Sequence, residues 1–373
     1  MSKQVLYRKY RPQKFSDVIE QEHVVRTLLN ALSSGSVAHA YLFCGPKGSG
    51  KTTMARLLAK AVNCKDDKSP EPCNKCSSCK EIIEGNAVDL MEIDAASHRG
   101  IENIRELRDG IRFSPSRMKY RIFILDEAHQ LTSGAANALL KILEESPSHA
   151  MFILATTEAH KMIPTIISRC QRFDFRKITV PCMVKRMKGI VKKEGVRADE
   201  DSLRIIAGAA GGSMRDGESL LSQVLSFTSE GGEIKKEDVK DLLGVVEKQV
   251  VSSFVEAVIS GDAENSLSVI GDILDRGVDP EEFHENLISY LREMMILKIV
   301  SGNKSGAVYE ALMTTLTREE IEEMEKQVKR VSEESVREMI DIFLEAGERV
   351  KYSPIPHLPL EVATAKIAER FKE

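Results

Sequence analysis

Tryptophan is absent from the sequence, and aromatic residues make up only 5% of its 373 positions. That scarcity argues against a platform on which nucleic-acid bases stack. Positive charge is not in excess either. Lysine and arginine number 53 against 57 aspartates and glutamates, a formal net charge of −4, so the chain is not a free-standing, charge-driven nucleic-acid binder. Any contact with DNA has to use local charge on one face. No run of about 18 apolar residues occurs, the length a membrane-spanning helix requires. Residues 1–9, Met-Ser-Lys-Gln-Val-Leu-Tyr-Arg-Lys, hold no apolar core of a signal peptide, and a cytoplasmic location is the default expectation. Repeats and low-complexity tracts are missing. What remains is ordinary globular composition, 42% hydrophobic and 29% charged, in a length that suggests two or three domains.

Three apolar runs in the first half read as buried parallel strands: Ala40-Tyr41-Leu42-Phe43-Cys44, Ile122-Phe123-Ile124-Leu125 and Met151-Phe152-Ile153-Leu154-Ala155. Asp89-Leu90-Met91-Glu92-Ile93 is a fourth candidate. Helical patterns separate them, which predicts an α/β sheet covered on both faces, with ligand chemistry at the carboxyl ends of the strands. After Ile178-Thr179-Val180-Pro181 the strand signals stop. Residues 1–178 therefore form one expected domain. Residues 179–243 read as a small helical unit, broken at Gly211-Gly212 and Gly231-Gly232. Residues 244–373 read as a second helical region, broken at Gly277-Val278-Asp279-Pro280, Gly302-Asn303-Lys304-Ser305-Gly306 and Ser353-Pro354-Ile355-Pro356. Thr317-Arg318-Glu319-Glu320 has the pattern of a capping box.

Gly45-Pro46-Lys47-Gly48-Ser49-Gly50-Lys51-Thr52 fits the phosphate-loop pattern directly after one strand and before a helix. Its glycines let backbone N–H groups approach phosphates, and the helix N-terminus adds favourable partial charge. Lys51 is placed to reach the β- and γ-phosphates of ATP and Thr52 to ligate Mg²⁺. A later strand ends in Asp126-Glu127-Ala128-His129, which places Asp126 to hold Mg²⁺ and Glu127 to polarise an attacking water. Two carboxylates side by side repel unless a cation lies between them. The same four letters occur in a helicase family, but those enzymes carry a second α/β motor domain, and the helical remainder leaves no room for one.

Seven cysteines in a cytosolic chain favour metal ligation over disulfides. Cys64, Cys73, Cys76 and Cys79 are spaced C-x₈-C-x₂-C-x₂-C, and thiolates so spaced converge on one tetrahedral ion and close a structural zinc site. The surrounding insertion, about residues 62–88, is too polar to build its own core, and a metal supplies the missing folding energy. An iron–sulfur cluster is the rival, although the Cys-Pro that closes the ferredoxin pattern is absent. Cys44, Cys170 and Cys182 are isolated and read as packing residues.

Taken together these motifs resemble the gamma/tau subunits of the bacterial DNA polymerase III clamp loader, a family of AAA+ ATPases. The resemblance extends through Leu6-Tyr7-Arg8-Lys9-Tyr10-Arg11-Pro12, Val37-Ala38-His39-Ala40-Tyr41, Asp94-Ala95-Ala96-Ser97, Asn137-Ala138-Leu139-Leu140-Lys141, Leu154-Ala155-Thr156-Thr157, Ile167-Ser168-Arg169-Cys170 and Gly212-Ser213-Met214-Arg215-Asp216. It is dense to about residue 245 and weak beyond. It implies a phosphate-loop AAA+ core with a parallel sheet and inserted zinc module, a helical lid and an all-α collar. It implies that Thr157 is sensor 1, that Arg169 is an arginine finger acting on ATP in the next subunit, and that Arg215 is sensor 2. Residues 7–19 would wrap the adenine, with Arg11 and Val18 as contacts. Arg99, Arg105 and Lys141 stand where the family contacts the phosphate backbone of primed DNA, with Arg105 on the solvated face of a helix whose apolar positions are Ile101, Ile104, Leu107 or Arg108, and Ile111.

The implied activity is a DNA-stimulated, Mg²⁺-dependent ATPase that opens and loads the beta sliding clamp as part of the polymerase holoenzyme, without itself polymerising nucleotides. The implied partners are delta and delta-prime subunits and further copies of this chain in a hetero-pentameric ring. A non-hydrolysing AAA+ scaffold and a branch-migration or helicase-type motor are the alternatives. The intact Lys51, Thr52, Asp126 and Glu127 speak against the first and the cysteine set against the second. Some positions depart from the family pattern: Glu20 stands for a glycine, His98 for an asparagine, Ser146 for a proline, and Gly217-Glu218 for Ala-Leu. If the glycine replaced by Glu20 had a positive φ, the adenine loop is expected to be rearranged.

Overall fold

Five parallel strands build the sheet: β1 (Ala40–Cys44), β2 (Leu90–Asp94), β3 (Arg121–Asp126), β4 (Ala150–Thr156) and β5 (Gln171–Asp174), in the order β2-β3-β4-β1-β5. The structure is a computed structural model and describes residues 5–228, 232–243, 248–275, 277–300, 309, 316 and 318–371. All residues of β1 and β4 are buried, as the continuous apolar runs require of central strands covered on both faces. The fourth candidate strand forms one residue later than its apolar run, at the edge beside β3. The strand β5 carries one buried side chain, Phe173, between exposed Arg172 and Asp174. That is too little alternation to announce an edge strand in the sequence.

Seven helices precede or cross between the strands: α1 (Leu6–Lys9), α2 (Glu22–Ser33), α3 (Lys51–Val62), α4 (Ser77–Glu84), α5 (Ile101–Ile111), α6 (Ser133–Glu144) and α7 (Pro164–Ile167). Because side chains alternate along each strand, Tyr41, Phe43, Ile122, Ile124, Met151 and Ile153 pack with Met54, Leu57 and Leu58 of α3. Their neighbours Leu42, Phe123, Leu125, Phe152 and Leu154 pack with α5 and α6 on the other face. Helix α5 buries Ile104, Leu107 and Ile111, which assigns the ambiguous position to Leu107 and leaves Arg105 and Arg108 exposed.

Next come α8 (Val180–Lys193), α9 (Glu200–Ala209), α10 (Met214–Phe227) and α11 (Lys236–Leu243). This stretch is not wholly helical, because β6 (Arg197–Ala198) and β7 (Glu233–Ile234) pair in parallel. Two-residue strands leave no periodic trace in a sequence. Contacts divide the chain into two compact units, Met1–Val239 and Lys240–Glu373.

The second unit contains α12 (Lys248–Ile259), α13 (Ala263–Asp275), α14 (Pro280–Val300), α15 (Arg318–Arg330), α16 (Glu333–Val350) and α17 (Leu358–Arg370). The breaks at 277–280 and 353–356 fall between helices. The break at 302–306 and the Thr317 cap lie outside the described residues. The ring of Phe254 stands at the centre, 5.3 Å from Phe283 and 5.9 Å from Phe343 between centroids. A buried polar network crosses this core: the Tyr290 hydroxyl donates to Gln327 Oε1 at 2.7 Å, and Gln327 Nε2 donates to the Ser252 carbonyl at 3.0 Å.

Helices α14 and α16 meet where Gly347 faces His284, whose Nε2 lies 2.7 Å from the Phe343 carbonyl. A Cβ at residue 347 would stand 2.1 Å from His284 Cε1, so the helix accepts a glycine there in spite of its poor propensity. Gly347→Ala is therefore expected to destabilise the protein by about 1–2 kcal/mol, overpacking outweighing the propensity gain. A urea midpoint at or above that of the unaltered chain would contradict this.

Candidate functional site

The chain leaves β1 through three glycines with positive φ, Gly45 at 151°, Gly48 at 72° and Gly50 at 101°. Two of them also have no room for a side chain. A Cβ at Gly45 would lie 2.6 Å from the Phe175 carbonyl oxygen, and one at Gly48 would lie 1.9 Å from Ser213 Oγ. Gly50 caps α3, so the loop wraps the N-terminus of a helix whose N–H groups are unpaired. Lys51 opens that helix and is 5% exposed. Its ammonium donates to the carbonyls of Gly45 at 2.8 Å and Pro46 at 2.9 Å. Burial pushes its pKa down, while Glu127 and Asp126 pull it up.

Thr52 reaches from the same turn to the end of β3, where its hydroxyl donates to Asp126 Oδ2 at 2.7 Å. The other Asp126 oxygen accepts from the Glu127 amide at 3.0 Å. Glu127 itself has φ 48° and ψ 44°, a left-handed conformation that costs a non-glycine residue about 1 kcal/mol or more. Its carboxylate accepts from the Thr157 hydroxyl at 2.9 Å and the Thr157 amide at 3.3 Å. His129, which the motif reading assigned no role, is 4% exposed at its side chain, 3.4 Å from Glu127 and 3.0 Å from Glu158, and its Nδ1 lies 2.9 Å from Thr156 Oγ1.

A cleft opens above these groups. Lys47 to Thr53 line its floor with Asp126 and Glu127; Tyr7, Arg11, Pro12, Asp17, Val18 and Ile19 form one wall, and Ile178, Arg186, Met214, Arg215 and Glu218 the other. Among the predicted site residues, Arg11, Val18, Lys47, Gly48, Ser49, Gly50, Lys51, Thr52, Asp126, Glu127 and Arg215 thus come together. Gly45 and Pro46 start the loop outside the cleft lining, and Thr157 bonds to the lining residue Glu127. The Arg215 guanidinium lies over the Tyr7 ring, 5.0 Å from its centroid. Arg169 is not on the wall: it pairs with Glu144 at 2.6 Å and donates to the Thr165 carbonyl at 2.9 Å. Arg99, Arg105 and Lys141 are exposed, on or beside the packed helices α5 and α6.

Glu20 has a positive φ of 59°, a left-handed conformation of the kind glycine adopts without strain. In place of a bare turn it offers a carboxylate that accepts from the Thr179 amide at 2.5 Å, at the start of α8.

The four cysteines 64, 73, 76 and 79 place their Sγ atoms within 4.8 Å of one another. Cys64 and Cys79 are 3.8 Å apart, close to the edge of a tetrahedron around an ion with metal–sulfur bonds of about 2.3 Å. Amides of Lys75 and Cys76 each donate to Cys73 Sγ at 3.4 Å, and these bonds pull the Cys73 thiol down to about 6. Burial pushes Cys64 and Cys79 up, a cost that an ion replacing the protons removes. The donor set and its spacing fit a zinc ion. Cys44 is buried, and burial pushes Cys170 up to about 12, consistent with packing roles.

Three family models match the chain. One described as DNA polymerase III, delta subunit covers residues 20–179. One described as DNA polymerase III clamp loader subunit, ATPase lid domain covers 183–230. One described as DNA polymerase III subunits gamma and tau domain III covers 234–371, the region where the sequence resemblance is weak. DNA polymerase III subunit tau of Bacillus subtilis is 44% identical over 369 residues, 99% of this chain and 64% of that protein. DNA polymerase III subunit gamma/tau of Mycobacterium tuberculosis is 37% identical over 364 residues, 97% of this chain and 62% of that protein. DNA polymerase III subunit gamma of Buchnera aphidicola is 35% identical over 367 residues, 98% of this chain and 99% of that one. The chain thus spans less than two thirds of the longer relatives.

Glu218 is the departure from the family pattern that reaches the cleft. It is 5% exposed, with Arg186 Nε 3.6 Å from its carboxylate, and Arg186 also donates to the Tyr10 carbonyl. Beside it, the methyls of Met187 and Met183 fill the space that a Cβ at Gly217 would need, 2.6 Å and 2.9 Å away. Burial raises the Glu218 carboxyl to about 7 against the opposing pull of Arg186 and Arg11. A raised pKa means that the folded protein holds this proton more tightly than the unfolded chain, so stability falls as pH rises from about 4.5 to about 7. Glu218→Gln is expected to stabilise the protein at pH 8 by about 3 kcal/mol, and by no more than about 1 kcal/mol at pH 5. Equal gains in urea stability at both pH values would contradict this account.

Proposed function

This chain belongs to the gamma/tau family of DNA polymerase III clamp loader subunits, and from that premise we propose that it is an ATP-hydrolysing AAA+ motor subunit that helps open the sliding clamp and load it onto primed DNA. The observation that carries the reading is the 2.7 Å contact between Thr52 and Asp126. It brings the hydroxyl of a phosphate loop and the carboxylate of a strand end to one point, with Glu127 beside them. Thr52 and Asp126 would hold Mg²⁺, which when bound neutralises charge on the β- and γ-phosphates. The loop amides and Lys51 would bind the triphosphate, the ammonium exchanging its two loop carbonyls for phosphate oxygens. Glu127 would orient the lytic water, and its bonds to Thr157 hold it until a γ-phosphate competes for that hydroxyl. Arg215 would reach the phosphates from the lid, leaving the Tyr7 face.

We assign residues 1–178 to the nucleotide-binding core, 179–243 to the lid and 244–373 to the collar that joins the ring. Arg169 suits a finger acting in trans because it lies on the surface, and its ion pair with Glu144 is an exposed one of about 0–1 kcal/mol. Exchanging that pair for a neighbour's phosphate is energetically cheap. The ring would contain delta and delta-prime subunits and other copies of this chain. Arg99, Arg105 and Lys141 would contact the DNA backbone, which carries no sequence information and so suits action at any primer. The four cysteines would hold a structural zinc ion.

ATP hydrolysis measured with and without clamp, partner subunits and primed DNA tests the reading. Lys51→Ala is expected to lose ATP binding by calorimetry, and retention of full affinity would remove the phosphate-loop assignment. Arg169→Ala is expected to bind ATP normally yet lose about 10³-fold of the DNA-stimulated turnover of the assembled ring. Unaltered turnover would show that no finger acts from this position.

A further inference from the structure

The cysteine insertion does not stand apart from the cleft. Glu71 lies between Pro70 and Pro72, and the residue before a proline is held in an extended conformation. From there its carboxylate spans two successive amides of the N-terminal segment, accepting from Phe15 at 2.8 Å and from Ser16 at 2.9 Å. Asn74, between ligand positions 73 and 76, has a φ of 57°, and its amide donates to the Gln13 carbonyl at 3.1 Å. Lys60, in the last turn of α3, is only 2% exposed. Its ammonium is tolerated because all three of its N–H groups are used: on the Gln13 carbonyl, on Gln13 Oε1 and on Asn74 Oδ1, each at 2.8 Å.

These bonds grip residues 13–16 from behind. The residues on either side, Arg11 and Pro12 before them and Asp17, Val18 and Ile19 after them, form the cleft wall. The helix that carries Lys60 starts with Lys51 and Thr52, so one rigid element connects the cysteine loop to the phosphate loop. Segment 11–19 makes only short turns of its own, a 3₁₀ turn over Phe15–Asp17 among them. Its position is set by what holds it.

We infer that the cysteine module is a clamp that fixes the base-side wall of the nucleotide cleft, with Glu71, Asn74 and Lys60 as positioning residues and the metal as the pin of the clamp. This rests on the nucleotide reading above and deepens it. The four ligands fold the polar loop, the loop aims Glu71 and Asn74, and these hold the segment that meets adenine and ribose. The phosphate loop is built by β1 and the first turn of α3, at the opposite end of that helix from Lys60. Loosening the clamp therefore weakens recognition of the nucleoside and spares recognition of the phosphates.

The test compares the affinity of the full chain for ATP with its affinity for inorganic tripolyphosphate by calorimetry in Mg²⁺. Glu71→Ala removes a charged acceptor of two amides and is expected to weaken ATP about tenfold while tripolyphosphate is bound as before. Glu71→Gln, which keeps one acceptor oxygen, falls between. Cys76→Ser, its metal content read by elemental analysis, is expected to lose the ion and show the same selective loss. Equal ATP affinity of Glu71→Ala and the unaltered chain would overturn the inference. So would a parallel loss of tripolyphosphate, which marks general damage rather than a loosened wall. Failure of the unaltered chain to bind ATP is a different result: it removes the nucleotide reading itself and this inference with it.

Discussion

The hydrogen bond between Thr52 and Asp126 is the contact on which the cleft depends, because it joins elements separated by seventy-odd residues. The two groups arrive from β1 and β3, which are not neighbours; β4 lies between them. Parallel register places the ends of these strands level. Leu125 stands opposite Leu154, and Cys44 opposite Thr156. Residue 126 therefore emerges beside the turn that follows residue 44. That register is enforced by burial, since a slip of one residue would turn Phe123 and Phe152, stacked at 5.3 Å, toward the opposite face of the sheet. The chemistry of the cleft is thus secured by side chains that never touch it.

Around that contact the backbone is held in conformations that chains avoid when unconstrained. Gly45 and Gly48 admit no side chain, and Glu127 is left-handed without being glycine. The cost at Glu127 is offset locally. Its carboxylate takes two hydrogen bonds from Thr157, and the buried His129 ring links it to Thr156 and Glu158. A carboxylate placed this way has few orientations to choose from. The adjacent Asp126 carboxylate accepts from Thr52 and from the amide of residue 127.

Much of this could be read from the residues alone, and what could not has a physical reason in each case. The runs at 40–44, 122–125 and 151–155 announce themselves because central parallel strands are apolar on both faces. Gln171-Arg172-Phe173-Asp174 does not, because an edge strand with one buried residue looks like a loop. The glycine-rich turn after β1 and the convergence of the four cysteines are legible because fixed residues recur at fixed spacing. Glu218 and Arg186 carry no sequence signal as lining residues, since they reach the cleft through packing of the helices that follow the sheet. Glu20 shows the opposite case. The residue type alone poses a conformational question, and the backbone answers it with a left-handed glutamate whose carboxylate accepts from the Thr179 amide before α8.

Lys60 makes clear why the cysteine insertion belongs with the core instead of hanging from it. A lysine at the end of an apolar helix face would ordinarily point its ammonium to water, because burial without acceptors costs several kcal/mol. Here burial does lower its pKa, yet it stays because Gln13 and Asn74 supply three oxygens. Gln13 comes from the N-terminal segment and Asn74 from the cysteine loop, so neither segment can leave without stranding a buried charge that the other cannot fully satisfy. Removing one partner of such a group is far more damaging than the net strength of its hydrogen bonds suggests. The lysine therefore makes the placement of the two segments cooperative, and ties the residues beside the cleft wall to the cysteine loop behind them.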